Sequence, residues 1–271
     1  MKQRVISAFF GIILLVLVLL GNQCVFDIVV TLISAMAVFE VLNAIGLSKN
    51  KRMTLIAVLL PVALMAASYI SKENSTEYFS SVIFLFAAIF MIMMLFSKGR
   101  YNFTDTALYI AVSTVFALSF LHVSMVRRLG NGNLDVLVIL IGSWITDTCA
   151  YFSGYFFGKH KLAPEISPKK TIEGSIGGII GVMIIIVAYA IIAGNIMNMS
   201  VNIYSAVVVG IVAGIVSQFG DLCASIIKRE HSVKDFGNIM PGHGGVMDRF
   251  DSLLFVAPAV YYILKFFPIF F

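Results

Sequence analysis

The chain has 271 residues, of which 60% are hydrophobic and only 12% charged, with a mean hydropathy of +0.98. A water-soluble protein needs roughly a quarter of its residues charged to cover its surface, so most of this surface must face lipid. The net charge of +5 sits in short clusters between apolar runs, which is how basic residues flank membrane spans and argues against a nucleic-acid groove.

Apolar runs long enough to cross a hydrocarbon layer of about 30 Å fall near residues 5–21, 25–46, 53–70, 79–96, 104–121, 134–157, 175–194, 201–227 and 252–270. They are too long for barrel strands, and backbone groups in lipid must be satisfied within the segment, so each is expected to be a helix. The expected architecture is an all-α polytopic membrane protein with about nine transmembrane helices. The first run, within Met1–Leu20, follows Lys2 and Arg4 as a signal peptide does, but it has no small-residue cleavage site and reads as a retained helix. Cys24, Cys149 and Cys223 are odd in number and far apart, giving neither a disulfide framework nor a zinc spacing.

The connections set the orientation. Lys2 and Arg4, then Lys49, Lys51 and Arg52, then Lys98 and Arg100 fall on alternate loops. So do Lys159, Lys161, Lys169 and Lys170 in residues 158–174, and Lys228, Arg229, Lys234 and Arg249 in residues 228–251. Basic loops stay in the cytosol, which puts the N-terminus inside and the C-terminus outside. The opposite loops are poor in basic residues, with Lys72 near 71–78 and Arg127 with Arg128 as the exceptions. The chain divides into plain spans over residues 1–121 and a polar, chemistry-bearing region over 134–271, with its working loops at 158–174 and 228–251.

Three segments carry that chemistry. Asp147 lies inside a span, where a carboxylate costs about 2.5–3.5 kcal/mol and so faces a cavity, a cation or a partner. Helical spacing sets Ser143, Asp147, Tyr151 and Gly154 on one stripe, and Gly154 with Gly158 has the spacing that lets helices approach closely. The second segment runs Ser167-Pro168-Lys169-Lys170-Thr171-Ile172-Glu173-Gly174. Pro164 and Pro168 hold it extended, and it opens a helix whose N-terminus, with two lysines, suits a phosphate. An ordinary basic loop is the plainer reading of the same residues.

The third segment is the richest. Ser217, Asp221, Ser225 and Lys228 form a polar ridge on an apolar helix. Lys234-Asp235 and Pro241-Gly242-His243-Gly244-Gly245-Val246-Met247-Asp248-Arg249-Phe250-Asp251 follow it. Glycines around His243 permit sharp bends and close backbone approach, and Asp248 and Asp251 are one helical turn apart. Hard carboxylate oxygens suit Mg²⁺, which takes one or two carboxylates and fills its shell with water and phosphate oxygens. Cations among carboxylates are what phosphoryl chemistry requires. His243 is open to three roles (base, phosphate donor or turn residue), and a phosphate nucleophile is already ionised near neutral pH.

From Ser225 to Asp251 the sequence resembles the phosphatidate cytidylyltransferases, or CDP-diacylglycerol synthases. Ser225, Lys228, Arg229, Lys234, Asp235, Gly237, Pro241, His243, Gly244, Gly245, Asp248, Arg249 and Asp251 fall in register with the family pattern. Met240 stands where the family usually has Leu, Ile or Phe. Upstream, Asp147, Ala150-Tyr151, Gly154, Gly158-Lys159 and the Ser167–Gly174 run match as well, while residues 1–121 share only the architecture.

The resemblance implies CTP and phosphatidate as substrates, CDP-diacylglycerol and pyrophosphate as products, Mg²⁺ as cofactor with a second cation such as K⁺, and a homodimer. It implies a bacterial-type inner-membrane enzyme with its active site facing the cytosol. The residues then take these expected roles. Asp221, Asp248 and Asp251 hold metal with Asp147 in support, and Lys228, Arg229 and His243 join them as catalytic candidates. Ser167, Lys169, Lys170, Thr171, Ser225, Lys234, Asp235, Gly244, Gly245 and Arg249 bind nucleotide or lipid phosphate. Two other readings share the residues. One is a related CTP-dependent lipid enzyme, such as a polyprenol or phytol kinase or a CDP-archaeol synthase. The other is a transporter using Glu40, Asp147 and Asp221 as an ion path.

Overall fold

The computed structural model describes residues 2–70, 75–239 and 244–271, with the side chains of 2–8, 10, 75 and 76 outside that description. The helices are α1 (Lys2–Leu20), α2 (Gln23–Ala44), α3 (Lys51–Ile70), α4 (Ser75–Leu95), α5 (Phe103–Arg127) and α6 (Asn133–Phe157). A hairpin of β1 (Lys161–Ala163) and β2 (Ser167–Thr171) follows, and then α7 (Ile172–Met197), α8 (Ile203–Glu230), the single turn α9 (Met247–Phe250) and α10 (Leu253–Phe266). Helices dominate because long apolar segments satisfy their own backbone groups.

Among the described residues seven helices, α2 to α8, are long and apolar enough to cross a bilayer, and the chain is an all-α integral membrane protein. The expected first span falls within α1, and the expected last one comes out shorter, as an apolar helix over Leu253–Phe266. Fourteen residues of helix rise about 21 Å, less than the hydrocarbon layer. The run expected to reach residue 270 leaves the helix after Phe266 and becomes a strap. Ser200 N donates to Phe271 O (2.9 Å), Phe271 N to Ser200 O (3.1 Å) and Asn202 N to Ile269 O (2.8 Å).

The chain forms two compact units. The first comprises Met1–Leu121 together with Val233–Arg249. In it α2 packs on α3 and α3 on α4, around Val38, Val41, Leu42, Met53, Ala57 and Leu60. Asn22 caps α2 by accepting from Val25 N at 2.9 Å. Tyr109, fully buried, donates to Leu47 O at 2.5 Å and stacks on Phe90, which fixes the turn between α2 and α3.

The second unit comprises His122–Ser232 and Phe250–Phe271. Here α6, α7, α8 and α10 pack together along seams of small residues. A Cβ at Gly178 would stand 3.0 Å from Ala150 Cβ, one at Gly181 2.6 Å from Cys149 Sγ, and one at Gly210 2.6 Å from Met183 Cα. Without a hydrophobic force between helices in lipid, close backbone approach of this kind supplies the packing energy.

The connection at 158–174, expected as an extended loop, is an antiparallel hairpin with Lys161 opposite Thr171 and Ala163 opposite Ser167. Its base is pinned by Glu173. That carboxylate accepts from Lys159 N (3.0 Å) and His160 N (3.2 Å) and meets His160 Nδ1 at 2.6 Å. Thr171 caps α7, its hydroxyl accepting from Gly174 N at 3.1 Å.

Candidate active site

In the second unit, the charged residues singled out from the sequence gather at one end of the bundle. Asp221 lies on α8 nine residues before that helix ends, Asp147 on α6, Lys170 on β2, and Asp251 in the short link between α9 and α10. Lys170 Nζ forms an ion pair with Asp221 Oδ2, the two side chains being 21% and 24% exposed. Asp147 is exposed and lies within electrostatic reach of both Asp221 and Lys170. Asp251 is half-buried and accepts from Ser252 N at 2.8 Å. Loss of solvent, and then the charge of Asp221, push its carboxyl up to about 7, against the pull of Lys228.

One glycine makes this arrangement possible. A Cβ on Gly220 would stand 2.7 Å from Asp251 O and 2.9 Å from Ser252 Cα. The bare backbone beside Asp221 therefore lets the Asp251–Ser252 segment lie directly against α8. Sequence reasoning passed over Gly220, although a glycine adjoining an intramembrane acid was a usable signal.

The polar ridge on α8 divides in two. Ser217 is fully buried and donates to Ser143 O at 3.3 Å, while Asp221, Ser225 and Lys228 remain half-exposed. The expected stripe on α6 does not hold together: Ser143 is 1% exposed and Tyr151 67% exposed. Eight residues of helix rotate about 80° away from their starting direction, enough to carry Tyr151 off the packed face.

Of the hairpin residues, Ser167 and Lys170 are half-buried and Lys169 is exposed. Arg229, exposed at the end of α8, reaches the hairpin turn, its Nε 3.5 Å from Ile166 O. Thr171 spends its hydroxyl on the helix cap.

The remaining candidates belong to the first unit, in Val233–Arg249. Lys234, Asp235 and Arg249 are exposed, and Asp248 is half-buried. Asp248 Oδ2 accepts from Phe236 N (2.8 Å) and Gly245 N (2.9 Å). Gly244 has φ +83°, and a Cβ there would stand 3.0 Å from Asp248 Oδ2 and 3.4 Å from Asp235 Oδ1. A left-handed residue wedged between two carboxylates leaves room only for glycine. His243, together with Met240, Pro241 and Gly242, lies outside the described residues.

A second carboxylate holds the same loop. Glu40 of α2, 3% exposed, accepts from Val246 N (3.0 Å) and Met247 N (2.8 Å). Its sequence signal was an acid inside an apolar run, legible only as an ion-path candidate. The structure instead gives both oxygens backbone partners.

Among the described residues no group of three or more His, Cys, Asp or Glu side chains is arranged to hold an ion. The donor chemistry nevertheless fits Mg²⁺. Asp221 and Asp251 offer hard oxygens within electrostatic reach of each other and leave the rest of a shell to phosphate and water.

Comparison with known proteins places the chain. The sequence pattern described as the cytidylyltransferase family matches residues 2–267. A phosphatidate cytidylyltransferase of Bacillus subtilis (strain 168) is 30% identical over 269 residues, 98% of each chain. One from Staphylococcus haemolyticus (strain JCSC1435) is 32% identical over 264 residues, 97% of this chain and 99% of that one. The protein of the same name from Staphylococcus aureus (strain COL) is 31% identical over 264 residues, with the same coverage. Because the match runs through the spans and the charged segments of both units, the chain belongs to the cytidylyltransferase family.

Proposed function

We propose that this protein is a phosphatidate cytidylyltransferase of the bacterial inner membrane, converting CTP and phosphatidate to CDP-diacylglycerol and pyrophosphate. Family membership and the names of its relatives support the reaction. The observation that carries the geometric side is the Lys170–Asp221 pair, set beside Asp147 and Asp251 where apolar spans end. The lipid phosphate lies at headgroup depth and the nucleotide comes from water, so their reaction belongs at such an end. The basic loops favour the cytosol for that end, with the N-terminus on the same side. The functional form is a homodimer, as the family resemblance implies.

In the reaction, a phosphatidate oxygen attacks the α-phosphorus of CTP in line. One P–O bond forms as the bond to pyrophosphate breaks. The lipid phosphate is ionised near neutral pH, so no side chain has to remove a proton before attack. Lys169, Lys170, Lys228 and Arg229 neutralise the triphosphate and the lipid phosphate and hold them in register, which is most of what phosphoryl transfer asks of a protein. Asp221 aims Lys170 through their ion pair.

Asp221 and Asp251, supported by Asp147, would hold Mg²⁺, with Asp248 as the ligand that the sequence pattern adds and a second cation such as K⁺ as a further guest. When bound, Mg²⁺ offsets charge on the phosphate oxygens. Ser167, Thr171, Ser225, Lys234, Asp235, Gly244, Gly245 and Arg249 complete the substrate contacts, and His243 serves as a hydrogen-bonding residue.

The test uses purified protein with phosphatidate, Mg²⁺ and CTP labelled at either the α- or the γ-phosphate. Label from the α-position should appear in the lipid, and label from the γ-position in pyrophosphate. Lipid carrying the γ-label would make the protein a kinase, and unlabelled lipid from both would overturn the proposal.

A further inference from the structure

Glu40 comes from α2, in the half of the chain that carries none of the proposed substrate contacts. Yet both of its carboxylate oxygens are committed to a loop more than two hundred residues away. Oε1 accepts from Val246 N at 3.0 Å and Oε2 from Met247 N at 2.8 Å. Two glycines close around the same carboxylate. A Cβ on Gly245 would stand 2.5 Å from Oε2, and one on Gly237 would stand 2.5 Å from Oε1. The loop is thus folded around the Glu40 head group on both sides, and the peptides it grips lie immediately before Asp248. Asp248 in turn gathers Phe236 N and Gly245 N. Two carboxylates, one from each end of the chain, fix the backbone from which Asp235, Asp248 and Arg249 project.

We propose that Glu40 is a positioning residue for the cytidylyl-transfer reaction: it holds the 244–249 backbone so that Asp248 and its neighbours present their side chains correctly to nucleotide and metal. The assignment rests on the functional reading above, but its structural half does not. An acceptor-only group suits the task because two converging N–H donors need two acceptor oxygens. An amide of the same shape offers one oxygen and one NH₂, and the NH₂ opposes a donor. Aspartate, one methylene shorter, cannot reach both peptides.

Two variants test this. Glu40→Gln keeps the volume and removes one acceptor. Gly237→Ala leaves Glu40 intact but sets a methyl group against its oxygen, and the group displaced is the far end of a flexible side chain, so the helices stay in place. Hydrogen exchange is measured at the Val246 and Met247 amides in detergent-solubilised protein, alongside the Mg²⁺ and CTP concentrations for half-maximal transfer. Both variants should lose protection at those two amides while α6 and α8 keep theirs. Half-saturation by Mg²⁺ should rise by about tenfold or more, the usual scale for a group that orients a ligand from behind.

Unchanged protection at 246 and 247 in both variants would overturn the proposal. So would a fall in turnover matched by a fall in folded protein with half-saturation unmoved, since that is the signature of a merely structural residue. If the wild-type protein transfers no label, the functional reading fails, and the exchange measurement still decides whether Glu40 holds the loop.

Discussion

Lys170 and Asp221 lie fifty-one positions apart in sequence, on a strand and a helix, and meet as an ion pair that is only about a quarter exposed. Removing one member of such a pair strands the other charge, which costs more than the pair itself is worth. Asp221→Asn should therefore reduce transfer by about a hundredfold or more in membranes holding equal amounts of inserted protein. Lys170→Gln should raise the CTP concentration for half-maximal rate by about tenfold, since it takes away a phosphate-neutralising charge. Because the two residues act as one unit, the double variant should lose little beyond Asp221→Asn alone. Additive losses, read from labelled-CTP assays on all three, would mean that the pair does not work as one. The acid was legible in the sequence because charge is rare in spans and expensive there, and the lysine because it stands in a basic run that opens a helix. Their pairing was not legible, because it depends on how a hairpin folds back onto α8. Glu40 was legible only as a member of a rival ion path for a related reason: its partners are backbone N–H groups, which no sequence pattern marks.

The elements depend on glycine for their spacing, and this makes their geometry testable. At Gly220 a methyl group would meet the backbone of Asp251 and Ser252 at 2.7 and 2.9 Å, atoms that cannot step aside singly. Gly220→Ala should thus shift the Asp251 segment and reduce transfer by about tenfold, with the protein still folded. Gly210 faces Met183 Cα at 2.6 Å across the α7–α8 seam. Gly210→Leu should cost about 1–3 kcal/mol through overpacking, seen as a lower Tm in detergent. Gly130→Ala, where nothing stands within 4 Å, should leave Tm unchanged. Helices of this kind are easy to read in a sequence, because an apolar run of eighteen or more residues has few other fates. The hairpin at 161–171 was hidden because β1 has three residues and its base is held by Glu173, outside the strands, and by Thr171, which ends β2 and caps α7. The end of α10 was hidden too. Apolar residues continue to the chain end, and what stops the helix is a strap to residues 200–202 that only the tertiary structure supplies.

At the scale of the whole molecule, the proposed function requires the charged end of the second unit to face the compartment that contains CTP. The α7 helix joins two marked points: the hairpin with Lys169 at its start, and the exposed Ser200 just past its end. Twenty-six residues of helix rise about 39 Å, more than the hydrocarbon thickness, so the proposed function expects the two points on opposite faces of the membrane. Basic residues favour the cytosolic side for the hairpin. Replacing Cys24, Cys149 and Cys223 by Ser clears the background, and single cysteines are then introduced as Lys169→Cys and Ser200→Cys. In intact cells or right-side-out vesicles, a membrane-impermeant maleimide should label the variant at 200 and leave the one at 169 untouched until the membrane is opened. Inverted vesicles should give the reverse. Labelling at 169 from outside would put the Lys170–Asp221 site in a compartment without CTP, and the reaction would lose its nucleotide. Labelling of both from one side would show that α7 does not span the membrane. Only the expected pattern lets a lipid phosphate and a cytosolic nucleotide reach Asp221 from the same face.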